Sequence, residues 1–247
     1  DISDELAVKN FLEKNRFDGV VNCAAYTAVD KAEDEPAEAD RINHLGPKWL
    51  AKYGKCIIHI STDYVFDGTA HIPYSENDRP NPVSAYGRTK LAGERAVLEQ
   101  SETAIIIRTA WLYSLHGSNF VKTMLRLGKT RDSLNVVCDQ IGSPTSAADL
   151  AKVIMEILPQ INRKKKEIYH FTNEGVCSWY DFAVAIMQMA ELPCKVLPIE
   201  SRDYPTQAKR PFYSVLNKKK IKNDFGLKIS YWRDALADVL KNMEEKE

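Results

Sequence analysis

Residues 55–61 read KCIIHIS, a short apolar segment that is followed at once by the more polar stretch TDYVFDG. The segment lacks the strict alternation of a half-exposed strand, which indicates a strand buried on both faces. A helical pattern follows at 84–100, and TAIIIRT at 103–109 reads as a second buried strand. A strand, a helix and another strand in this order predict a parallel βαβ unit.

The same alternation continues on both sides of this unit. Further strands are predicted at 18–25, 133–139 and 167–172, and helices at 4–15, 119–129 and 147–158. We expect Ser3 to cap the first of these helices. Buried strands separated by helices predict an α/β fold with a Rossmann-like, doubly wound parallel sheet.

The last third of the chain has a different pattern. An amphipathic helix is predicted at 178–192 and a brief strand at 195–199, followed by a turn-rich segment and two short helices. We therefore expect a larger domain formed by residues 1–140 and segments near 145–172. A smaller α/β substrate lobe, formed by about 173–247, is predicted to interleave with it.

The composition argues against several classes of partner. Lys plus Arg and Asp plus Glu each number 34, so no net charge favours nucleic acid or an anionic membrane. The apolar runs are far shorter than the ~20 residues needed to span a bilayer. The five cysteines form no C-x-x-C pair, which predicts buried free thiols in a cytoplasmic protein rather than disulfides or a metal site.

Small, polar or aromatic residues lie where three successive predicted strands end. Thr62 and Asp63 come after the strand at 55–61, Ala24 and Ala25 are the last residues of the strand at 18–25, and Trp111 follows the strand at 103–109. The carboxyl ends of parallel strands form the ligand-binding edge of such sheets. A simple strand-to-loop cap would explain the hydroxyl residues alone, but three such exits together predict a site.

Tyr86 and Lys90 lie four positions apart on the helix after this loop, so they share one helix face. An ammonium within about 4–6 Å favours the tyrosinate and lowers the pKa of a tyrosine. Such a tyrosine can give a proton to a carbonyl oxygen as hydride reaches the carbon. A nearby threonine hydroxyl can polarise the same oxygen. The pattern predicts carbonyl–alcohol redox chemistry.

With these motifs the chain resembles the dTDP-4-dehydrorhamnose reductases, a family of extended short-chain dehydrogenase/reductases. The resemblance covers essentially the whole chain. The motifs that carry it, in the family's order, are VNCAAYTAVDKAEDEP, the asparagine of RINHLGP, STDYVFDGT, PYSENDRPNPVSAYGRTKLAGE, IIRTAWLYS, GSNFVKTML, VVCDQIGSPT and AKRPFYSVLN.

The resemblance implies that NADPH or NADH reduces dTDP-4-dehydro-L-rhamnose to dTDP-L-rhamnose. Tyr86 then corresponds to the proton donor, Lys90 to the residue that lowers its pKa and holds the nicotinamide ribose, and Thr62 to their hydroxyl partner. The residues implied at the dTDP-sugar are Thr62, Asp63, Trp111 and Asn119. Those implied at the cofactor are Asp1, Ile2, Ala25, Tyr26, Thr27, Tyr86 and Lys90.

The chain departs from the family pattern at its beginning. The family opens with a G-x-x-G-x-x-G turn, and no such spacing occurs in this sequence. We therefore expect that the first βαβ segment of an NAD(P)-binding domain is missing, and that this chain binds cofactor weakly. No glutamate pattern supports a metal site, and the resemblance leaves a homodimer open.

Two alternative functions remain at this point. An epimerase or dehydratase of the same superfamily would share Tyr86 and Lys90, but dehydratases usually carry Asp-Glu after the threonine, whereas Thr62 is followed by Asp63 and Tyr64. A non-catalytic regulatory subunit, similar to the β subunit of methionine adenosyltransferase, can also retain these residues.

Overall fold

The computed structural model describes residues 1–161 and 165–244. Residues 162–164 and 245–247, which the predicted domain ranges include, lie outside the described residues. The strands, in chain order, are β1 (Val20–Asn22), β2 (Cys56–Thr62), β3 (Thr103–Thr109), β4 (Leu112–Tyr113), β5 (Ser133–Val137), β6 (Ile141–Gly142), β7 (Thr145–Ser146), β8 (Lys166–His170), β9 (Cys177–Ser178) and β10 (Lys195–Ile199).

Helices connect most of these strands. In chain order they are α1 (Glu5–Lys14), α2 (Lys31–Asp34), α3 (Pro36–Asp40), α4 (Gly46–Tyr53), α5 (Ala85–Gln100), α6 (Phe120–Gly128), α7 (Ala147–Ile157), α8 (Trp179–Met189), α9 (Lys219–Phe225) and α10 (Trp232–Glu244). A π-helical turn, Arg41–Leu45, joins α3 to α4, and a 3₁₀ turn, Asp63–Val65, follows β2.

The main sheet contains four parallel strands in the order β1-β2-β3-β8. Neighbouring residues of β2 enter different cores: Ile57 packs with residues of α1, α4 and α5, whereas Ile58 packs with residues of α7 and α9. All residues of β3 are buried, as a strand covered on both faces requires. The predicted Rossmann-like α/β fold is therefore confirmed.

Side-chain caps determine where two helices begin. The Ser84 hydroxyl accepts a hydrogen bond from the backbone of Gly87 (3.1 Å), so α5 begins at Ala85 as its sequence predicts. At α1 the predicted cap is wrong by one position, because Asp4 accepts from the backbone of Ala7 (3.0 Å). The Ser3 hydroxyl donates instead to Asp1.

A second hydrophobic core lies outside the main sheet, where α6, α8 and α10 pack together. Strand β5, which we expected in the main sheet, pairs in parallel with β10, and β8 takes the place next to β3. A short apolar run does not specify its pairing partner, since many strands have the same pattern. The predicted division at residues 140 and 173 remains a proposal.

The five cysteines are free, but the expectation of burial holds only for some of them. Cys177 and Cys194 are buried, Cys56 and Cys138 are partly buried, and Cys23 is exposed just after β1. No helix within residues 1–161 and 165–244 is both long and apolar enough to cross a lipid bilayer.

Candidate active site

The carboxyl end of β2 places two polar side chains inside the protein. The Thr62 hydroxyl accepts from the backbone of Tyr64 (3.2 Å) and donates to the Asp63 carboxylate (3.1 Å). Asp63 is 2% exposed. Burial raises the pKa of Asp63 to about 6, although contacts with Ser214 and Thr62 act in the opposite direction. The strand exit therefore holds a carboxyl group that titrates near neutral pH.

Helix α5 carries Tyr86 and Lys90 to this edge. The Tyr86 ring packs edge-on against Tyr64 with 5.5 Å between the ring centres. The ammonium of Lys90 donates to the carbonyl of Ile60 in β2 (2.7 Å), and Lys90 is 2% exposed. Burial lowers the pKa of Lys90 to about 8. The structure thus places Thr62, Tyr86 and Lys90 around the end of one strand.

The pKa of Tyr86 is raised, whereas we expected it to be lowered. Burial raises it to about 12, the charge of Asp63 adds to the rise, and a hydrogen-bond contact with Thr62 opposes it. We expected Lys90 to lower this pKa, but its ammonium is directed to a backbone carbonyl of β2. Because removal from water disfavours the charged tyrosinate, the phenol stays protonated at neutral pH, which is the form that a proton donor needs.

The predicted cofactor segment, residues 25–27, and the adjoining Ala24 are held beside α5 by two asparagines. Asn22 accepts from the backbone of Ala24 (3.1 Å). Asn43 accepts from the backbone N–H of Tyr26 (2.8 Å) and donates to its carbonyl (3.1 Å). The Asn43 amide also donates to Thr89 of α5 (3.2 Å). A π-helical turn carries Asn43, and such turns are frequent at functional sites.

The predicted cofactor residues outside α5 lie in two regions, the loop after β1 and the start of α1. In the loop, Tyr26 packs in the same apolar cluster as Tyr86. Thr27 is exposed and Ala25 is partly exposed, so this loop offers its backbone to a ligand. Asp1 and Ile2 lie near the start of α1 instead, where Asp1 pairs with Arg41 (3.3 Å). Ile2 packs into the core beside α1 and α4.

Two predicted substrate residues have clear local roles. Trp111 stacks on Trp179 of α8 with ring centres 3.6 Å apart, and its φ of 49° is unusual for a residue with a side chain. Such strain is typical of functional sites. Asn119 caps α6, because it accepts from the backbone of Lys122 (3.1 Å) and donates to the carbonyl of Ser114 (2.8 Å). A sugar contact of Asn119 stays a prediction.

A cavity of about 660 Å³ lies beside the hydrophobic core formed by α6, α8 and α10. Residues of α6, β5 and the segment before Arg210 form its walls, among them Phe120, Trp179, Tyr204 and Arg210. Trp179, which stacks on Trp111, connects this cavity to the strand exits. The cavity combines aromatic faces with two guanidinium groups, those of Arg131 and Arg210, which suits a ligand that contains a planar base and an anion.

Arg210 is a site residue that sequence reasoning did not assign. It pairs with Asp30 in the loop after β1 through two hydrogen bonds, at 3.1 Å and 2.6 Å. Asp30 also accepts from the backbone of Ala208 (3.0 Å). The motif AKRPFYSVLN contains this arginine, but its contact is 180 residues away in the chain, and no local pattern indicates such a pairing.

The described residues contain no group of His, Cys, Asp or Glu side chains that could hold a metal ion. What the site does contain is a protonated phenol, a hydroxyl and a carboxyl group near its pKa, close to a buried ammonium. These groups can donate a proton to an oxygen and stabilise the charge that develops on it. The arrangement fits reduction of a carbonyl or oxidation of an alcohol.

Comparison with known proteins agrees with this chemistry. The chain is 44% identical to a dTDP-4-dehydrorhamnose reductase from Aggregatibacter actinomycetemcomitans, over 97% of this chain and 86% of that protein. A crystal structure of a dTDP-4-dehydrorhamnose reductase from Clostridium acetobutylicum superposes with a TM-score of 0.95 at 45% identity, covering 99% of this chain and 87% of that one.

A second solved structure contains a cofactor. The dTDP-4-dehydrorhamnose reductase from Bacillus anthracis, in complex with NADP, superposes with a TM-score of 0.94 at 37% identity, covering 98% of this chain and 86% of that one. Residues 1–245 match the family described as RmlD substrate binding domain. With a match over nearly its whole length, this chain belongs to the RmlD substrate binding domain family.

Proposed function

We propose that this protein is an oxidoreductase that reduces the C4 carbonyl of dTDP-4-dehydro-L-rhamnose to give dTDP-L-rhamnose, with NADPH or NADH as cofactor. The observation that carries the proposal is the cluster of Thr62, Asp63 and Tyr86 at the end of β2, with Lys90 on the same helix as Tyr86. The reductase from Aggregatibacter actinomycetemcomitans, at 44% identity, supports the choice of substrate.

Tyr86 is the proton donor in this proposal. Its pKa, raised to about 12 by burial, keeps the phenol protonated, and its contact with Thr62 places a second hydroxyl beside it. The two hydroxyls together polarise the carbonyl oxygen and receive the negative charge that develops there. Asp63 lies within hydrogen-bond distance of Thr62 and provides an acceptor for a hydroxyl group of the sugar.

The cofactor-binding residues are proposed to be Asp1, Ile2, Ala25, Tyr26, Thr27, Tyr86 and Lys90. The exposed loop at Thr27 fits a planar ring, because its backbone is open while Asn43 holds the neighbouring residue in place. When bound, the dinucleotide supplies the hydride for the carbonyl carbon. The NADP complex of the reductase from Bacillus anthracis supports NADPH for this chain.

The dTDP-sugar is proposed to extend from the strand exits into the second lobe. Trp111 and Asn119 are the predicted contacts with the sugar, in addition to Thr62 and Asp63. Arg210 provides a positive charge for the diphosphate at the wall of the cavity of about 660 Å³. We further propose a cytoplasmic location and leave a homodimer as a prediction for analytical ultracentrifugation.

Oxidation of NADPH by the full-length protein, with dTDP-4-dehydro-L-rhamnose as substrate, tests this proposal. We expect turnover and a product with two more hydrogen atoms, detected by mass spectrometry. Loss of water from the sugar would indicate a dehydratase instead. Absence of turnover together with tight binding to another protein would favour a regulatory subunit.

A further inference from the structure

Two charged residues that no assigned role explains lie directly behind the candidate site. Arg108 of β3 and Glu94 of α5 form a double hydrogen-bonded ion pair, at 2.9 Å from Nε to Oε1 and 2.7 Å from Nη2 to Oε2. The two side chains are 2% and 1% exposed. The pair therefore joins the helix that carries Tyr86 to the central sheet.

Glu94 also contacts the strand that carries Thr62. The hydroxyl of Ser61 donates to Glu94, and Ser61 immediately precedes Thr62. One helical turn earlier, Lys90 donates to the carbonyl of Ile60 (2.7 Å). Two successive residues of β2, Ile60 and Ser61, are thus held by two residues of α5, so the end of β2 has a defined position relative to the helix.

Stability alone does not account for such a pair. Removing two charges from water is costly, and a buried ion pair can often be replaced by uncharged residues of similar volume without loss of stability. The contacts of Glu94 with Arg108 and Ser61 instead suggest a role in the geometry of the site.

We propose that Glu94 and Arg108 are positioning residues for the reaction: the pair fixes α5 against the end of β2, and its carboxylate provides the negative charge next to Lys90. The inference rests on the proposed reductase function and extends it. Neither residue contacts the sugar or the cofactor in this proposal. They act through Lys90 and through Ser61, which adjoins Thr62.

Among the titratable groups around Lys90, Glu94 is the one whose charge acts on the pKa of Lys90 at neutral pH. Burial lowers the pKa of Lys90, and Glu94 and Cys23 oppose this effect. From β2, His59 faces Lys90 but is neutral, because burial and the ammonium keep its pKa well below the usual value. Although Cys23 is exposed as a residue, partial removal of its thiol from water raises the pKa, so the thiol is protonated near neutral pH. The raised pKa of Tyr86 keeps its phenol neutral.

The test is a double variant, Glu94→Gln with Arg108→Gln, which removes both charges and retains hydrogen-bonding groups. The pKa of Lys90 is measured by NMR of protein with labelled lysine, with the signal assigned by Lys90→Arg. We expect this pKa to fall by about one unit, because Glu94 is the member of the pair whose charge acts on Lys90, and that negative charge is gone. The alkaline limb of the kcat profile should move to lower pH by the same amount.

We also expect kcat to fall by up to about 100-fold in the double variant, because small misplacements of catalytic groups are costly. Glu174→Gln is the matched control, since it weakens the ion pair with the buried Lys218 elsewhere in the protein. This control should leave the pKa of Lys90 and the pH profile unchanged. A folded double variant with the pH profile and the Lys90 pKa of the wild type would overturn the proposal.

If the double variant fails to fold, Ser61→Ala decides the positioning role. This variant keeps the ion pair and removes only the hydroxyl that joins it to β2. We expect a lower kcat with an unchanged pKa of Lys90, and an unchanged kcat would overturn the proposal. The NMR measurement needs neither sugar nor cofactor, so it tests the effect of Glu94 on Lys90 even if the protein is not a reductase. Absence of reductase activity in the wild-type protein would reject the proposed function alone.

Discussion

At the scale of single residues, burial controls the chemistry of the candidate site. Tyr86, Lys90 and Asp63 are ionisable, and each has a pKa moved toward its uncharged form mainly by removal from water. The phenol remains protonated, whereas the ammonium and the carboxyl group titrate close to neutral pH. Perturbed pKa values that cluster at one strand exit are typical of an active site.

Tyr86→Phe tests the proton donor. We expect kcat to fall by at least about 100-fold, in the range that general acid catalysis contributes. Cofactor affinity and thermal stability should stay close to those of the wild type, because phenylalanine retains the ring contact with Tyr64. Steady-state kinetics and a fluorescence titration with NADPH measure both quantities.

Tyr64→Phe is the matched control for this variant, since Tyr64 is also a partly buried tyrosine, next to Asp63 in the chain, with a raised pKa. We expect it to retain most of the activity. A Tyr86→Phe variant with the wild-type rate would remove the proposed role of this residue.

Asp63→Asn tests the buried carboxyl group. Its folded pKa of about 6 lies above the usual 3.8, so the folded protein binds more protons than the unfolded chain between these pH values. The free energy of unfolding therefore decreases as pH rises through this window. Above pH 6 the variant should be more stable than the wild type by up to about 3 kcal/mol. Its kcat/KM should fall, because the sugar hydroxyl loses the Asp63 carboxylate as a hydrogen-bond acceptor.

Thermal unfolding of both proteins at several pH values measures this effect. The difference in melting temperature should vanish near pH 4, where the wild-type carboxyl group is protonated. A variant that is destabilised equally at every pH would show that Asp63 has a structural role instead.

At the scale of elements, α5 organises the site because it approaches its neighbours unusually closely. A Cβ atom at Gly87 would overlap the carbonyl oxygen of Tyr64, and one at Gly93 would overlap that of Asn43. The two glycines let the helix lie directly on the loop after β2 and on the π-helical turn. The same helix carries Tyr86 and Lys90.

Gly93→Ala tests this packing. Helix propensity alone favours alanine by about 1 kcal/mol, but the added methyl group would push α5 away from Asn43. We therefore expect a lower melting temperature and a lower kcat, measured by calorimetry and steady-state kinetics. Arg95→Ala, at an exposed position of the same helix, is the control and should change neither. A more stable Gly93→Ala variant would contradict the argument.

At the scale of the whole molecule, the ion pair between Asp30 and Arg210 joins segments that lie 180 residues apart in the chain. It joins the loop after β1 to the segment that borders the cavity of about 660 Å³. Asp34 supports the same contact through a hydrogen bond with Gln207. The cofactor side and the substrate side of the proposed site are therefore held together by polar contacts.

Asp30→Ala tests this connection. The pair is partly exposed, so we expect a loss of stability of at most about 1 kcal/mol. The KM for the dTDP-sugar should rise about tenfold, because Arg210 loses the partner that orients it at the cavity wall. Asp34→Ala is the control and should have a smaller effect on KM. An unchanged KM in the Asp30 variant would contradict the proposal that Asp30 orients the Arg210 side chain for substrate binding.

The sequence by itself determined the local elements and the residues with chemical potential. Apolar runs and caps predicted β2, β3 and α5 closely, because hydrophobic periodicity and capping act over a few residues. The spacing of Tyr86 and Lys90, and the position of Thr62 directly after a strand, could be predicted for the same reason. That these residues meet at one edge of the sheet followed from the position of ligand sites at the carboxyl ends of parallel strands.

Only the tertiary structure decided which distant groups meet. The pairing of β5 with β10, the buried pair of Glu94 and Arg108, and the contact of Asp30 with Arg210 join residues far apart in the chain. The direction of the Tyr86 pKa shift was decided in the same way, since removal from water raises this pKa while the ammonium of Lys90 is directed to the carbonyl of Ile60. Burial and long-range contacts are properties of the folded chain, and no short segment of sequence encodes them alone.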